Sequence, residues 1–171
     1  MDSSLSIRGI EGADLVEVLA INSESQPGVS HLDAGMAAAL VSTASIAWVA
    51  VVGGRVAGYL IGFLPGSDYD GQEFLWFKQR RNSFIYVDQI AVASSFRSHG
   101  IGRRLYGKLV QWCADHSCPT MVCEVNMIPP NPGSLAFHKL YGFSEIGRLI
   151  VHDDREVVLL EYCTHPGQAE D

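Results

Sequence analysis

No uninterrupted apolar run in the 171 residues approaches the roughly 20 needed to cross a bilayer, so no membrane partner is expected. Residues 1–10 lack the apolar core of a secretory signal, which points to the cytoplasm. Basic residues are few. Twelve Lys and Arg against 19 Asp and Glu give a formal net charge of −7, which argues against a nucleic-acid footprint and suits a cationic substrate better than an anionic one. The four cysteines, Cys113, Cys118, Cys123 and Cys163, form no Cys-x-x-Cys pair. They read as small, mostly buried free thiols in a reducing compartment, and no metal site is expected. Repeats, linkers and low-complexity blocks are absent. The length fits one domain, placed at residues 1–163, with 164–171 as a loose tail.

The informative stretch is 84–107. Residues 84–92, aromatic and β-branched, read as a strand. A polar break follows, then Arg97-Ser98-His99-Gly100-Ile101-Gly102, then apolar residues at helical spacing, Ile101, Leu105, Leu109 and Trp112. Strand, glycine turn and helix N-terminus direct main-chain N–H groups at an anion, so a phosphate-bearing ligand is expected. The sequence has no Gly-x-x-x-x-Gly-Lys-Ser/Thr run, and Leu105 stands where a dinucleotide fingerprint needs a third small residue.

Around this centre, 5–9 reads as a first strand, and Asp14 with Glu17 as a capping box opening a helix whose apolar side is Leu15, Val18, Leu19 and Ile21. Gln26-Pro27-Gly28 breaks it, and Ser30 is the expected cap of a second helix over 31–43. Residues 46–52 and 56–64 are apolar strands joined by Gly53-Gly54 as a tight hairpin. The segment 65–82 mixes Tyr69, Phe74, Trp76 and Phe77 with charges. Two readings stand: a short amphipathic helix closing the core, or a wall for a substrate. After the helix, whose Arg103, Arg104 and Lys108 face away from the core, a strand is expected over 121–125, parallel to 84–92 because the crossover contains a helix. The prolines exclude regular structure up to Pro132. Asn131 then caps a helix with Pro132 at its first position and Gly142 at its end. Residues 146–152 and 156–162 read as a closing hairpin.

Arg97-x-x-Gly100-x-Gly102 resembles the acetyl-CoA pyrophosphate loop of the GNAT (GCN5-related) N-acetyltransferases. Asn131-x-x-Ser134-x-x-Phe137-x-x-x-x-Gly142-Phe143 is similar to the second signature of that superfamily. The resemblance implies an α/β mixed sheet of about seven strands and four helices, with antiparallel N-terminal strands and a parallel, splayed fourth and fifth pair. It also implies acetyl-CoA as co-substrate and a primary amine, small molecule or peptide, as acceptor. Many relatives pair through their C-terminal strands, so a homodimer is implied as well.

By the same resemblance, Ile90, Ala91 and Val92 offer main-chain hydrogen bonds to the pantetheine arm and the thioester oxygen. Arg97, Ser98, His99, Gly100, Ile101, Gly102 and Arg103 hold the pyrophosphate, His99 as a loop residue and not a catalyst. Asn131, on the pantetheine side, and Ser134 belong to the cofactor set. Trp76 and Asp88 line the acceptor side. Glu124 stands where protein acetyltransferases of this kind carry a glutamate base, or else is a polar strand residue facing water; Asp88 and Gln89 are fallback candidates. Many relatives have tyrosine where this chain has His138, which is then a proton donor to the sulfur or a packing residue, with Tyr141 one turn on as a substitute. A protein N-terminal or lysine acetyltransferase is the runner-up, and a non-catalytic acyl-CoA-binding regulatory domain is the alternative from another class.

Overall fold

The structure is a computed structural model that describes residues 4–152 and 154–165. Strands β1 (Leu5–Gly9), β2 (Ile46–Val52), β3 (Arg55–Phe63), β4 (Ile85–Val92), β5 (Thr120–Ile128), β6 (Ser144–His152) and β7 (Arg155–Cys163) form one mixed sheet in the order β1-β2-β3-β4-β5-β7-β6. The helices are α1 (Leu15–Glu24), α2 (Ala34–Thr43), α3 (Gln72–Lys78), α4 (Ile101–Asp115) and α5 (Pro132–Tyr141), one more than expected. The chain groups into two compact units. The first holds the chain up to Phe63 with Asp88–Leu109, the second Leu64–Val87 with the chain from Val110 on.

In the first unit β1, β2 and β3 form an antiparallel meander. Gly53 and Gly54 have φ of 56° and 78°, the two left-handed residues that a two-residue hairpin of the right twist requires. The helix caps differ from expectation. The N-terminal capping box is Glu11 with Asp14, on a single 3-10 turn, Gly12–Asp14. Asp14 is held there by Arg8 at 2.6 Å, and that ion pair lowers its pKa. Glu17 is drawn away instead, its Oε2 accepting the Val56 N–H at 2.6 Å and tying α1 to β3. Asp33, not Ser30, caps α2, because its extended backbone lets Oδ1 accept the Met36 N–H at 2.8 Å.

The Ser30 carbonyl has another use. It accepts from Asn22 Nδ2 at 2.8 Å and Gln89 Nε2 at 3.1 Å. Tyr59 Oη donates to Gln89 Oε1 at 2.7 Å, and the Leu32 N–H donates to Asn22 Oδ1 at 3.0 Å. Asn22, Tyr59 and Gln89 are buried, and burial pushes the Tyr59 hydroxyl up to about 12, so it stays a neutral donor. This network engages both ends of the Gln89 amide and takes Gln89 out of the candidate bases.

In the second unit β4 and β5 are parallel through Ile85↔Met121 and Tyr86↔Val122, as the helical crossover requires, and β5, β7 and β6 are antiparallel. β5 continues to Ile128, past the expected end, because pairing with β7 supplies backbone partners up to the first proline. The segment 65–82 builds α3, whose Phe74 and Phe77 are fully buried against Phe84 and Tyr86 at centroid distances of 5.7–6.2 Å. The core-closing reading therefore holds for those two rings. Asn131 caps α5 and Gly142 ends it, with φ of 124°. Thr164, placed in a loose tail on sequence, is instead tied by its N–H to Pro119 O at 2.9 Å and by its hydroxyl to Cys118 O at 2.7 Å; residues 166–171 lie outside the described residues. Among the described residues Cys113, Cys118 and Cys123 are buried and Cys163 is exposed, all as free thiols. No helix there is long and apolar enough to cross a membrane.

Candidate active site

In the first unit β4 ends in a tightly braced turn. The Ala93 N–H donates to Ala57 O at 2.9 Å, and a 3-10 turn follows over Ser94–Phe96. Glu24, from the last turn of α1, accepts the Ser94 N–H at 2.8 Å and the Ser94 hydroxyl at 2.7 Å. These two bonds hold its carboxyl below the usual carboxylate range. Arg97 folds back, with Nε 3.3 Å from Val92 O, and His99 Nδ1 donates to Arg97 O at 2.7 Å. Ser98 (φ 62°) and Gly100 (φ 77°) are both left-handed, so the chain reverses abruptly into α4.

The first intrahelical bond of α4 runs from Arg104 N–H to Gly100 O at 3.0 Å, so the amides of Ile101, Gly102 and Arg103 precede it at the positive end of the helix dipole. Residues 97–100, Arg103 and Arg104 are exposed, while Ile101 is buried and anchors the turn. Lys108, expected on the solvated face, donates instead to Ile7 O at 2.8 Å and lies 5.1 Å above the Trp48 ring. Its long stem reaches an unpaired strand edge.

In the second unit Glu124 and Asn126 occupy one face of β5. Arg155, the first residue of β7, donates through Nη1 to Glu73 Oε1 at 2.7 Å and through Nε to Asn126 Oδ1 at 2.9 Å, and its Nη2 lies 3.8 Å from Glu124 Oε1. The Glu124 side chain is 11 % exposed, which removes the reading of a strand residue facing water. A nearly buried carboxylate beside a shared cation is a group that can take a proton. A turn of backbone N–H groups beside a helix N-terminus is a group of donors for a diphosphate.

The sequence model of the acetyltransferase (GNAT) family matches residues 15–143. The chain belongs to that family. It is accordingly an acyltransferase, dependent on acetyl-CoA and acting on an amine nitrogen. Solved structures share the fold. Ard1 from Thermoplasma volcanium is 19 % identical, with a TM-score of 0.75 over 93 % of this chain and 97 % of that one. The ribosomal-protein-alanine N-acetyltransferase of Brucella melitensis is 21 % identical, with a TM-score of 0.71 over 92 % and 99 %. The yncA acetyltransferase of Salmonella typhimurium, solved with its cofactor acetyl-CoA, is 17 % identical, with a TM-score of 0.71 over 99 % of each chain. No curated protein matches the sequence significantly.

Several expected site residues of this acetyltransferase have structural duties. Asn131 Oδ1 accepts the Ser134 N–H at 3.3 Å as the α5 cap. Ala91 turns its carbonyl toward Gly58 on β3, 2.8 Å from where a Gly58 Cβ would stand. The Trp76 ring lies under the Arg80 guanidinium at 4.0 Å and 3.2 Å from where a Gly147 Cβ would stand, so it packs within its own unit. Asp88 is half-buried at the middle of β4. Tyr141 is half-buried, with its ring 5.3 Å from that of Tyr162.

His138 is 2 % exposed, edge-on to Phe143 at 5.1 Å, and its Nδ1 donates to Ser134 O at 2.7 Å. Because Nδ1 carries the proton, Nε2 of the neutral ring has none to give. Burial also pushes the imidazole pKa below its ordinary value. His138 is therefore a poor acid at neutral pH, and the proton-donor reading loses its support. The unfolded chain takes up this proton near pH 6.5, whereas the folded chain does so only at lower pH. Stability consequently falls as pH drops below about 6.5. His138→Phe is expected to flatten that acid-side loss in thermal melts between about pH 7 and pH 5, and an unchanged slope would refute the assignment.

The residues that sequence reasoning missed are Glu24, Glu73, Asn126 and Arg155. Arg155 sat in a turn-like Asp153-Asp154-Arg155 string, and Glu73 was one charge among several in an irregular segment. Their partners lie 29 and 82 positions apart from Arg155, and no local pattern reports that.

Proposed function

We propose that this acetyltransferase passes the acetyl group directly from the CoA thioester to a primary amine, with Glu124 as the general base. The acceptor ammonium gives a proton to Glu124, and its nitrogen then attacks the thioester carbon. The C–N bond forms and the negative charge develops on the carbonyl oxygen. Main-chain N–H groups of Ile90 and Val92 are the donors for that oxygen and for the pantetheine amides. Strand alternation supports this role: Ala93 donates to β3, so the residues out of phase with it point their amides to the other strand edge. The C–S bond then breaks and the nitrogen loses its second proton. The Tyr141 hydroxyl takes that proton as it gives its own to the departing sulfur, or CoA leaves as a bare thiolate and water takes the nitrogen proton, since a thiol pKa near 8.5 makes it a fair leaving group. Residues 97–103 take the pyrophosphate.

The observation that carries the reading is the braced turn itself, two left-handed residues feeding the N-terminus of α4 in a chain of this family. Calorimetric titration with acetyl-CoA, CoA and NAD, followed by CoA release over a panel of amines, tests it. Acetyl-CoA is expected to bind, NAD not to bind, and at least one primary amine to release CoA. Failure to bind acetyl-CoA would overturn the role given to residues 97–103. A peptide α-amine is the second reading for the acceptor, favoured by the Brucella protein of the same fold whose name specifies ribosomal-protein alanine. The panel therefore includes N-terminal peptides beside small amines.

A further inference from the structure

The Arg155 guanidinium has more than one carboxylate to serve. Glu73 on α3 takes the short bond at 2.7 Å and is 9 % exposed; Glu124 stands further off, at 3.8 Å. Asn126 Oδ1 holds Nε at 2.9 Å and so fixes the plane of the fork. The β5–β7 register slips between Asn126 and Ile128, a bulge that places an extra residue on β5 where Arg155 begins β7. The Asn126 carbonyl also accepts the Asn131 N–H at 3.1 Å, so the residue that orients Arg155 sets the start of α5.

A full bidentate pair would leave Glu124 a weak base, whereas a carboxylate buried without a cation would hold its proton at neutral pH. Arg155 instead divides its two terminal nitrogens between Glu73 and Glu124. We propose that Arg155 is a positioning residue for the reaction, tethered by Glu73 and Asn126 so that it holds Glu124 in place and sets the pH at which Glu124 becomes a free base. This rests on the assignment of Glu124 as base. Among the described residues, charged and titratable groups on the elements against that face are few. Arg155 comes from β7 and Glu73 from α3, whose Lys78 lies over the Phe74 ring. Glu161, opposite Val122 and thus on the same face, is paired with Arg81 at 3.1 Å. β6 contributes Ser144, Gly147 and Leu149 there, and the exposed His152 directly opposite Arg155.

The test is the pH profile of kcat at saturating acetyl-CoA. Removing the cation in Arg155→Gln is expected to move the acidic limb upward by about one pH unit. Glu73→Gln, which releases Arg155 toward Glu124, is expected to move it downward. Arg155→Lys keeps the charge and leaves the limb near that of the parent protein. Acetyl-CoA affinity stays unchanged in all three. Should Arg155→Gln fail to fold because Glu73 is left buried and unpaired, the double variant Glu73→Gln/Arg155→Gln removes both charges and is expected to keep the upward shift. Limbs that do not move, or that move together in the two single variants, while Glu124→Gln still abolishes the limb, would overturn the role of Arg155 alone. A limb that keeps the parent protein's midpoint in Glu124→Gln, instead of giving way to the steady rise of a deprotonating amine, would overturn the base assignment and the proposal with it.

Discussion

Glu124→Gln is expected to lower kcat by about 10²- to 10⁴-fold, the range in which a positioned general base contributes. Glutamine keeps the shape of the side chain and an acceptor oxygen facing Arg155, so the loss reports proton transfer and not repacking. Three things should stay constant: the melting temperature, the affinity for acetyl-CoA, and the product. The activity of the variant should also lose its dependence on a group titrating on the acidic side. The residual rate should rise with pH, because the deprotonated fraction of the acceptor amine grows without help from the enzyme. A variant that retains kcat within a few-fold would show that the amine reaches the site already deprotonated. Asp88, half-buried on β4, would then be the next residue to replace.

Gly58→Ala is expected to damage both folding and cofactor binding. The new Cβ would stand 2.8 Å from Ala91 O, 3.2 Å from Ile101 Cγ2 and 3.4 Å from Val92 Cα. The nearest of these is main chain, which cannot swing aside as a side-chain tip would. Gly58 also follows a bulge at Ala57, whose carbonyl is already committed to the Ala93 N–H at 2.9 Å. The strain must therefore be relieved by moving the end of β4 or the first turn of α4. Overpacking of this kind costs about 1–3 kcal/mol, and a backbone neighbour argues for the upper part of that range. For a chain of this size the thermal midpoint then falls by roughly 5–10 °C. Because the displaced segments carry Val92 and Ile101, acetyl-CoA affinity should fall in protein that remains folded. Calorimetry below the transition separates the two effects. A variant with the parent melting point and parent affinity would refute the close approach.

Much of the fold was legible because its signals are local. Alternation and β-branching located every strand to within a few residues. Gly53-Gly54 announced a hairpin that only left-handed residues close, and Asn131, Pro132 and Gly142 marked both ends of α5 by cap chemistry that acts within four residues. The turn at residues 97–102 was legible for the same reason. Where two caps compete, local pattern fails. Asp14 and Glu17 have the spacing of a capping box, yet Arg8 claims the first and the Val56 amide the second.

The sequence by itself determined the family, the order of the elements, the turn at residues 97–102 and the glutamate on β5. Each of these is written in contiguous residues whose backbone preferences or spacing act over one or two turns of chain. Only the tertiary structure decided what the polar side chains do. It sent Gln89 into a buried network with Asn22 and Tyr59, buried His138 so that its imidazole pKa falls, and set Arg155 between Glu73 and Glu124. A hydrogen bond or an ion pair depends on a few ångströms of distance and on the loss of competing water. Both are properties of how distant segments pack, and neither leaves a periodic trace along the chain.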